Sequence, residues 1–374
     1  MKKRDKVTFI FQRARLERIN SSIPFAKDMF YTYFNFKEDF ETEIIEFGNF
    51  PKGRRYKIIF RLEEKIRTLL KIPLYSIYLT NKKNYKKIAS STHVICSTNR
   101  AATSSFPMML MCKLLNKKVN FSFFVLGLYA SKPRYVILKK IQSIFYFLLF
   151  SLTKNVIFIG EGEYKHAIKE NPKFSRKFSY IPFGIDVDFW KTKITPDFEN
   201  KKKILFIGND SNRDFNLVVK IASSLPNFDF IFVTSEISKE KIPSNVTLYS
   251  GNWGNQLLTD TELKEIYEKS RITIIPLKQT LQPSGQSVAM QSMLIGTPVI
   301  ISEIDGLWDS TKLVDDDNII FAESLELEEW KDKITRLYDD QERLSRLSKN
   351  SIKLIEDFFS INLFYKKIKI LLNI

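Results

Sequence analysis

Short apolar runs alternate with longer amphipathic stretches along almost the whole chain. In the first half, β-rich runs stand at "KVTFIF" (6–11), "HVICST" (93–98), "KVNFSFFVLG" (118–127), "NVIFIG" (155–160) and "FSYIPFG" (178–184). The second half repeats the scheme at "KKILFIG" (202–208), "FDFIFVT" (228–234), "NVTLYSG" (245–251), "RITIIPL" (271–277), "TPVIISE" (297–303) and "NIIFAES" (318–324). Strands separated by helical patterns predict βαβ units and parallel sheets, and continuously apolar strands predict burial on both faces. No short-period repeat or low-complexity segment interrupts the pattern.

A chain of 374 residues favours two domains over one. A turn, acidic residues and a polar linker separate the two strand clusters near residues 185–200. The expected division is therefore an N-terminal domain over 1–190, a C-terminal domain over 200–355, and a closing amphipathic basic helix over 356–374. One apolar run, "IQSIFYFLLFSLT" (141–153), is flanked by lysines and is shorter than the roughly 20 residues that cross a bilayer. It reads as a buried or interdomain helix, or as one inserted into a single leaflet together with the preceding "KPRYVILKK".

Charge changes the picture because it is uneven. The net +17 divides into about +20 over residues 1–200 and about −3 over the remainder. The basic half is expected to face something anionic, whether membrane lipid, a phosphorylated substrate or nucleic acid, unless the lysines only solvate the surface. Nucleic acid is disfavoured, because the basic residues of 52–87 lack an interleaved aromatic platform or a recognition-helix signature. Cys96 and Cys112 form no disulfide or zinc pattern, so a reducing, cytoplasmic setting is expected. The basic N-terminus lacks an apolar core and a cleavage site, and reads as a first strand.

Two segments carry candidate chemistry. In "ILFIGNDSNRDFNLVVKIA" (204–222) a buried strand ends at Gly208 and a polar turn leads to a helix expected near Asn212 or Arg213. A helix N-terminus at the carboxyl end of a parallel strand suits phosphate, and Arg213 would add a fixed cation. The alternative is an ordinary loop with a surface arginine. After "RITIIPL", the stretch "KQTLQPSGQSVAMQSM" repeats the device. Gly285 permits close backbone approach, Ser284 and Ser287 offer hydroxyls, the helix begins at Gln286–Ser287, and Gln291 lies within two turns. Gly296 and Pro298 end that helix.

Taken in order, "IPFGIDVDFW", "ILFIGND", "TELKEIYEKSRITIIPL", "PSGQSVAMQSMLIGTPVI" and "FFSINLFYKKIKILL" resemble the GT-B-fold glycosyltransferases, and among them the retaining family called GT4. The resemblance covers residues 155–374 well and the first 150 weakly. It implies an α/β fold of two Rossmann-like domains with parallel sheets facing across a cleft. A nucleotide-diphosphate sugar would bind mainly to the second domain, and a saccharide or lipid-linked acceptor to the first. Transfer would proceed with retention and without a catalytic metal or other cofactor. Gly208, Asn209, Ser284, Gly285, Gln286, Ser287 and Gln291 are the implied donor-binding positions, with Gln291 on the ribose hydroxyls. Arg213 and Gln282 are the implied catalytic positions.

The chain departs from that family. Two glutamates eight residues apart are replaced by Pro283, with Gln282 and Ser284 beside it, and by Gln291. The arginine and lysine usual in the first loop are Asn209 and Asp214, and Leu126 stands where a donor-touching histidine is sought. His93 reads as structural and His166 as exposed on a helix face. No Ser-His-Asp arrangement, metal-ligand cluster or Walker loop is visible. The expected activity is glycosyl transfer in surface polysaccharide or glycan biosynthesis, by a cytoplasmic protein that can sit peripherally on the inner face of the cell membrane. The alternative is a non-catalytic GT-B protein that binds a nucleotide sugar or glycan as a partner subunit.

Overall fold

The computed structural model describes residues 5–192, 197–250 and 258–374. Residues 193–196 of the expected linker and Gly251 of the run 245–251 lie outside them. The chain separates into two compact units. Unit 1 runs to Asn20, resumes over Phe30–Ile181 and ends with Tyr365–Ile374; unit 2 comprises Ser21–Met29 and Pro182–Phe364.

Unit 1 contains β1 (Lys6–Phe11), α1 (Arg15–Asn20), α2 (Tyr33–Asp39), β2 (Glu41–Glu46), α3 (Arg54–Leu70), α4 (Lys82–Ala89), β3 (His93–Cys96), α5 (Asn99–Leu114), β4 (Asn120–Val125), α6 (Val136–Leu152), β5 (Asn155–Phe158), α7 (Glu161–Glu170) and β6 (Phe178–Tyr180). Its six strands form a parallel sheet in the order β2-β1-β3-β4-β5-β6. Phe9, Phe11, Phe123, Phe124 and Phe158 are fully buried in its core. The apolar runs mark five of these strands. The sixth, β2, has the sequence "ETEIIE", whose glutamates hide it. Among the described residues it pairs only with β1, and Lys6 Nζ stands 3.1 Å from Glu41 and 3.0 Å from Glu43. An edge strand with one solvated face tolerates such charges, and they discourage pairing with another chain.

The histidines do structural duty. His93 is buried at the start of β3 beside Asn120, with its pKa lowered by burial. His166 differs from expectation: it is half-buried, with its ring edge-on to Tyr129 at 5.3 Å.

Unit 2 contains α8 (Val187–Trp190), β7 (Lys203–Ile207), α9 (Phe215–Ser224), β8 (Asp229–Val233), β9 (Val246–Tyr249), α10 (Asp260–Lys269), β10 (Ser270–Ile275), α11 (Gln286–Ile295), β11 (Val299–Ser302), β12 (Ile320–Ala322), α12 (Leu327–Asp339) and α13 (Gln341–Phe358). The C-terminal helix α14 (Ile361–Leu372) follows. The sheet is parallel, six-stranded and ordered β12-β11-β10-β7-β8-β9. This is the Rossmann order, three strands wound to each side of a central reversal between β7 and β10. Strands such as "ILF" in β7 and all of β10 are buried on both faces, as their unbroken apolar character requires.

Helices α9 and α12 cover one face with Leu217, Val218, Ile221, Trp330 and Ile334, packed onto Ile204, Phe206, Ile272 and Ile300. Trp330 is fully buried and its Nε1 donates to the Ser324 carbonyl at 3.0 Å. Trp330→Ala removes the largest side chain of this cluster and orphans that carbonyl. It is expected to cost about 3–5 kcal/mol, read as a lower denaturant midpoint for unit 2.

Candidate functional site

Neighbouring strands β7 and β10 send their connections to opposite edges of the sheet, so a crevice opens outside their carboxyl ends. The loop after β7 (208–214) and the loop after β10 (276–285) meet there. Their backbones are stitched together: Asp214 N donates to Pro276 O at 3.1 Å and Lys278 N to Asn212 O at 2.8 Å. Asn212 Nδ2 adds a bond to Ser284 Oγ at 2.7 Å. Gly208, Arg213, Ser284 and Gly285 are thereby gathered at one point of unit 2.

Arg213 lies beneath these turns, not on their surface, and is only 2% exposed. Its Nε donates to the Ile207 carbonyl at 3.3 Å, and Nη1 stands 3.4 Å from Asp210 Oδ2. Nη1 makes no hydrogen bond among the described residues. Burial lowers the pKa of the guanidinium, and the negative Asp210 opposes that. Asp210 offsets part of the cost of burying this charge, and a further anion in hydrogen-bonding reach of Nη1 would offset more. Both flanking glycines are required by this packing. A Cβ on Gly208 would lie 2.3 Å from Arg213 Nε. One on Gly285 would lie 2.9 Å from Ile275 Cγ2 and 3.3 Å from Arg213 Nη1, and Gly285 has the left-handed φ of 79°.

Of the two helix N-termini expected at the crevice, one carries a side-chain cap and the other does not. The first, α9, begins at Phe215, two residues beyond Arg213. Asp214 is its N-cap, and its carboxylate accepts from Leu217 N at 3.0 Å. That carboxylate answers the N–H groups and dipole which a phosphate would have used. The second, α11, begins at Gln286 as expected, and Gly285 at its N-cap brings no capping side chain. Gln286 is buried and Ser287 half-buried in its first turn.

The remaining expected residues disperse. Asn209 turns to the loop after β8, where its Oδ1 accepts from Ser235 N at 2.7 Å and Thr234 Oγ1 at 3.0 Å. Gln282 is half-buried, and its carbonyl passes so near Gly306 that a Cβ there would be 2.5 Å away.

Gln291 belongs to a separate buried network. Its Oε1 accepts from Tyr267 Oη at 3.2 Å, and its Nε2 donates to Asp28 Oδ2 at 3.0 Å. Asp28 Oδ2 also accepts from Trp190 Nε1 at 2.7 Å, and its Oδ1 accepts from Asp186 N at 2.5 Å. Burial pushes the Asp28 carboxyl up to about 7, against the pull of its donors from Gln291, Asp186 N and Trp190, while the nearby Asp186 charge raises it further. Asp186 and Asp260 accept in turn from Lys27 N at 2.9 Å and Ala26 N at 2.8 Å. Carboxylates thus pin residues 26–28 onto unit 2. This network explains why position 291 is glutamine: it must donate to one carboxylate and accept from a phenol, which a second carboxylate cannot do. Sequence reasoning missed Asp28, which lies far from every motif, and Asn212, which stood inside a quoted one.

No protein-family model matches the chain, and no curated protein sequence matches it. Solved structures do match. The chain has the GT-B fold, α/β with two parallel-sheet domains. HepE of Anabaena, solved with UDP and glucose, aligns over 99% of both chains with a TM-score of 0.68 and 11% identity. A glycosyltransferase of Rickettsia africae aligns over 98% of both with a TM-score of 0.67 and 15% identity. Sucrose-phosphate synthase of Thermosynechococcus elongatus also aligns over 98% of both, with a TM-score of 0.65 and 11% identity.

Two outcomes follow from the Asp28 network. A carboxyl whose folded pKa is raised binds its proton more tightly when folded, so its stabilising contribution is present at low pH and lost as pH rises from about 4 to about 7. Gln291→Glu sets a second carboxylate against Asp28. It is expected to destabilise unit 2 by roughly 2–4 kcal/mol at pH 8 and by less at pH 5, where one proton can be shared. Urea unfolding at both pH values checks the sign. Asp28→Ala leaves the Trp190 and Gln291 donors unanswered and is expected to cost about 2–4 kcal/mol at pH 5.

Proposed function

We propose that this chain is a retaining glycosyltransferase of the GT4 type, moving a sugar from a nucleotide-diphosphate donor to a saccharide or lipid-linked acceptor. The observation that carries the reading is Arg213. It is a buried guanidinium with an unused donor beneath two glycine turns at the switch point of a Rossmann sheet, in a fold shared with glycosyltransferases solved with UDP. The N-terminus of α11, which no side chain caps, lies beside it.

In this reading the diphosphate lies against Gly208, Ser284, Gly285, Gln286 and Ser287, with Asn209 and Gln282 bordering it. The bond from the anomeric carbon to the diphosphate oxygen breaks, and the electron pair leaves with the diphosphate. The Arg213 charge and the α11 amides stabilise that departing anion, with no nucleophilic side chain and no metal. The acceptor hydroxyl adds to the same face and its proton passes to the leaving phosphate oxygen. A ribose contact by Gln291 requires it to exchange Asp28 or Tyr267 for the sugar. That engagement is the observation favouring the second reading, a non-catalytic binder of nucleotide sugars. The cytoplasmic, membrane-peripheral setting and the role in polysaccharide synthesis belong to the same proposal.

Thermal-shift titration with UDP, GDP, ADP, CMP and dTDP tests it. One nucleotide is expected to raise the melting point selectively, corresponding to about 2.7 kcal/mol at a hundredfold excess over its dissociation constant. Arg213→Gln, near in size but uncharged, is expected to remove the shift. Turnover of the matching sugar donor, undiminished by EDTA, separates the enzyme from the binder. A selective shift without turnover establishes the second reading, and no shift with any nucleotide overturns the enzyme and leaves only a glycan-binding partner subunit.

A further inference from the structure

From Gly48 to Gly160 the chain carries 21 lysines and arginines against two acids, Glu63 and Glu64. Glu63 is withdrawn from the surface: it is buried, accepts from Ser76 Oγ and Ile77 N, and lies 3.8 Å from Arg67. Three helices of this region pack side by side in unit 1. Phe106 of α5 meets Phe145 of α6 with ring centroids 5.0 Å apart, and Gln142 of α6 donates to the carbonyl of Leu70 at the end of α3 at 2.9 Å.

The surface they present is inverted in character. The buried face of α6 includes Gln142 and Tyr146, whereas Ile137, Ile141, Ile144 and Leu148, spaced 4, 3 and 4 residues apart, are exposed along the opposite stripe. Ile137 is 69% exposed and Ile144 60%. On α3, Ile58, Leu62 and Leu69 are exposed at helical spacing among Arg54, Arg55, Lys57, Arg61 and Lys65. At the end of α5, Leu114 is 72% exposed beside Lys113. Most of the exposed large hydrophobic side chains among the described residues stand on these three helices and their flanks. Contiguous apolar surface of this kind marks a docking face.

We propose that the α3–α5–α6 face of unit 1 docks on the surface of an anionic phospholipid bilayer. Charge selects this occupant. Lysines and arginines around an apolar stripe suit anionic headgroups with acyl chains beneath them, and long basic side chains reach the headgroups while the stripe enters the interface. A second copy of the chain would set two strongly positive faces together. Nucleic acid would leave the isoleucines and leucines without a partner. At 17 residues α6 extends about 26 Å, and no helix among the described residues is long and apolar enough to cross a membrane, so α6 lies along the interface. The inference concerns the surface of unit 1 and does not depend on the donor site of unit 2.

Sedimentation of the full chain with phosphatidylcholine vesicles, with and without 30% phosphatidylglycerol, tests the proposal. Pelleting is expected only with the anionic vesicles and is expected to weaken between 0.1 and 0.5 M salt, as the Debye length shortens from about 10 Å. The triple variant Ile137→Gln, Ile144→Gln, Leu148→Gln is expected to lower the partition coefficient at least tenfold. These side chains are exposed, so an unchanged melting point will show the fold intact. Lys139→Glu with Lys140→Glu is expected to reduce binding separately. Absence of pelleting, or pelleting unaffected by either variant, overturns the proposal. So does a dimer in analytical ultracentrifugation that the triple variant dissociates, or tight nucleic-acid binding in place of vesicle binding. A chain that pellets as expected but never turns over a sugar donor retains this inference and loses the enzymatic one.

Discussion

A parallel sheet that winds outward in both directions from β7 and β10 must part its connections there, and the two loops at that point have to close the gap themselves. They do so through three hydrogen bonds and one buried arginine. Arg213 fills the space below Gly208, so a Cβ there would displace it, and a Cβ on Gly285 would meet Ile275 first and Arg213 next. The position of the α11 N-terminus and the Arg213 Nη1 left without a hydrogen bond among the described residues both derive from this packing. An anion at this point would meet a charge already desolvated and held in place, so little reorganisation would accompany its binding.

Unit 2 contains a second buried polar centre with the opposite sign. Asp28 gathers donors from Trp190, Gln291 and the Asp186 backbone, and its carboxyl is pushed up to about 7. Buried carboxyls of this kind specify geometry more than they add stability, because desolvation offsets much of the hydrogen bonding. Here the geometry specified is the course of residues 26–28 across unit 2 and the orientation of α11. The two centres share that helix: its first turn borders Arg213, and Gln291, in its second, faces Asp28.

Unit 1 divides its labour differently. Its sheet is covered by phenylalanines, and one of its buried carboxyls, Glu163, holds the loop after β4 by accepting from Gly127 N at 2.8 Å and Tyr129 N at 3.0 Å. Its outer helices carry apolar residues that no part of unit 1 covers. Net charge read as a bulk number leaves open whether the lysines merely solvate the surface. Their juxtaposition with exposed isoleucines on α3 and α6 gives the charge a direction.

Much of the architecture was legible from periodicity, because a strand buried on both faces must be apolar throughout: β1, β3, β4, β5, β10 and β11 announced themselves this way. The α11 turn was legible too, since Pro-Ser-Gly before an apolar helix and Gly-Thr-Pro after it leave few backbone alternatives. Edge strand β2 was not, because one solvated face permits glutamates that erase the pattern. Nor was the capping of α9 by the Asp214 side chain, which sequence alone left open. The burial of Arg213 and the bond between Asp28 and Gln291, 263 residues apart in sequence, were decided only by tertiary structure. Spacing along a chain determines which residues share a helix face or strand. Which desolvated charge meets which donor depends on how separate elements pack.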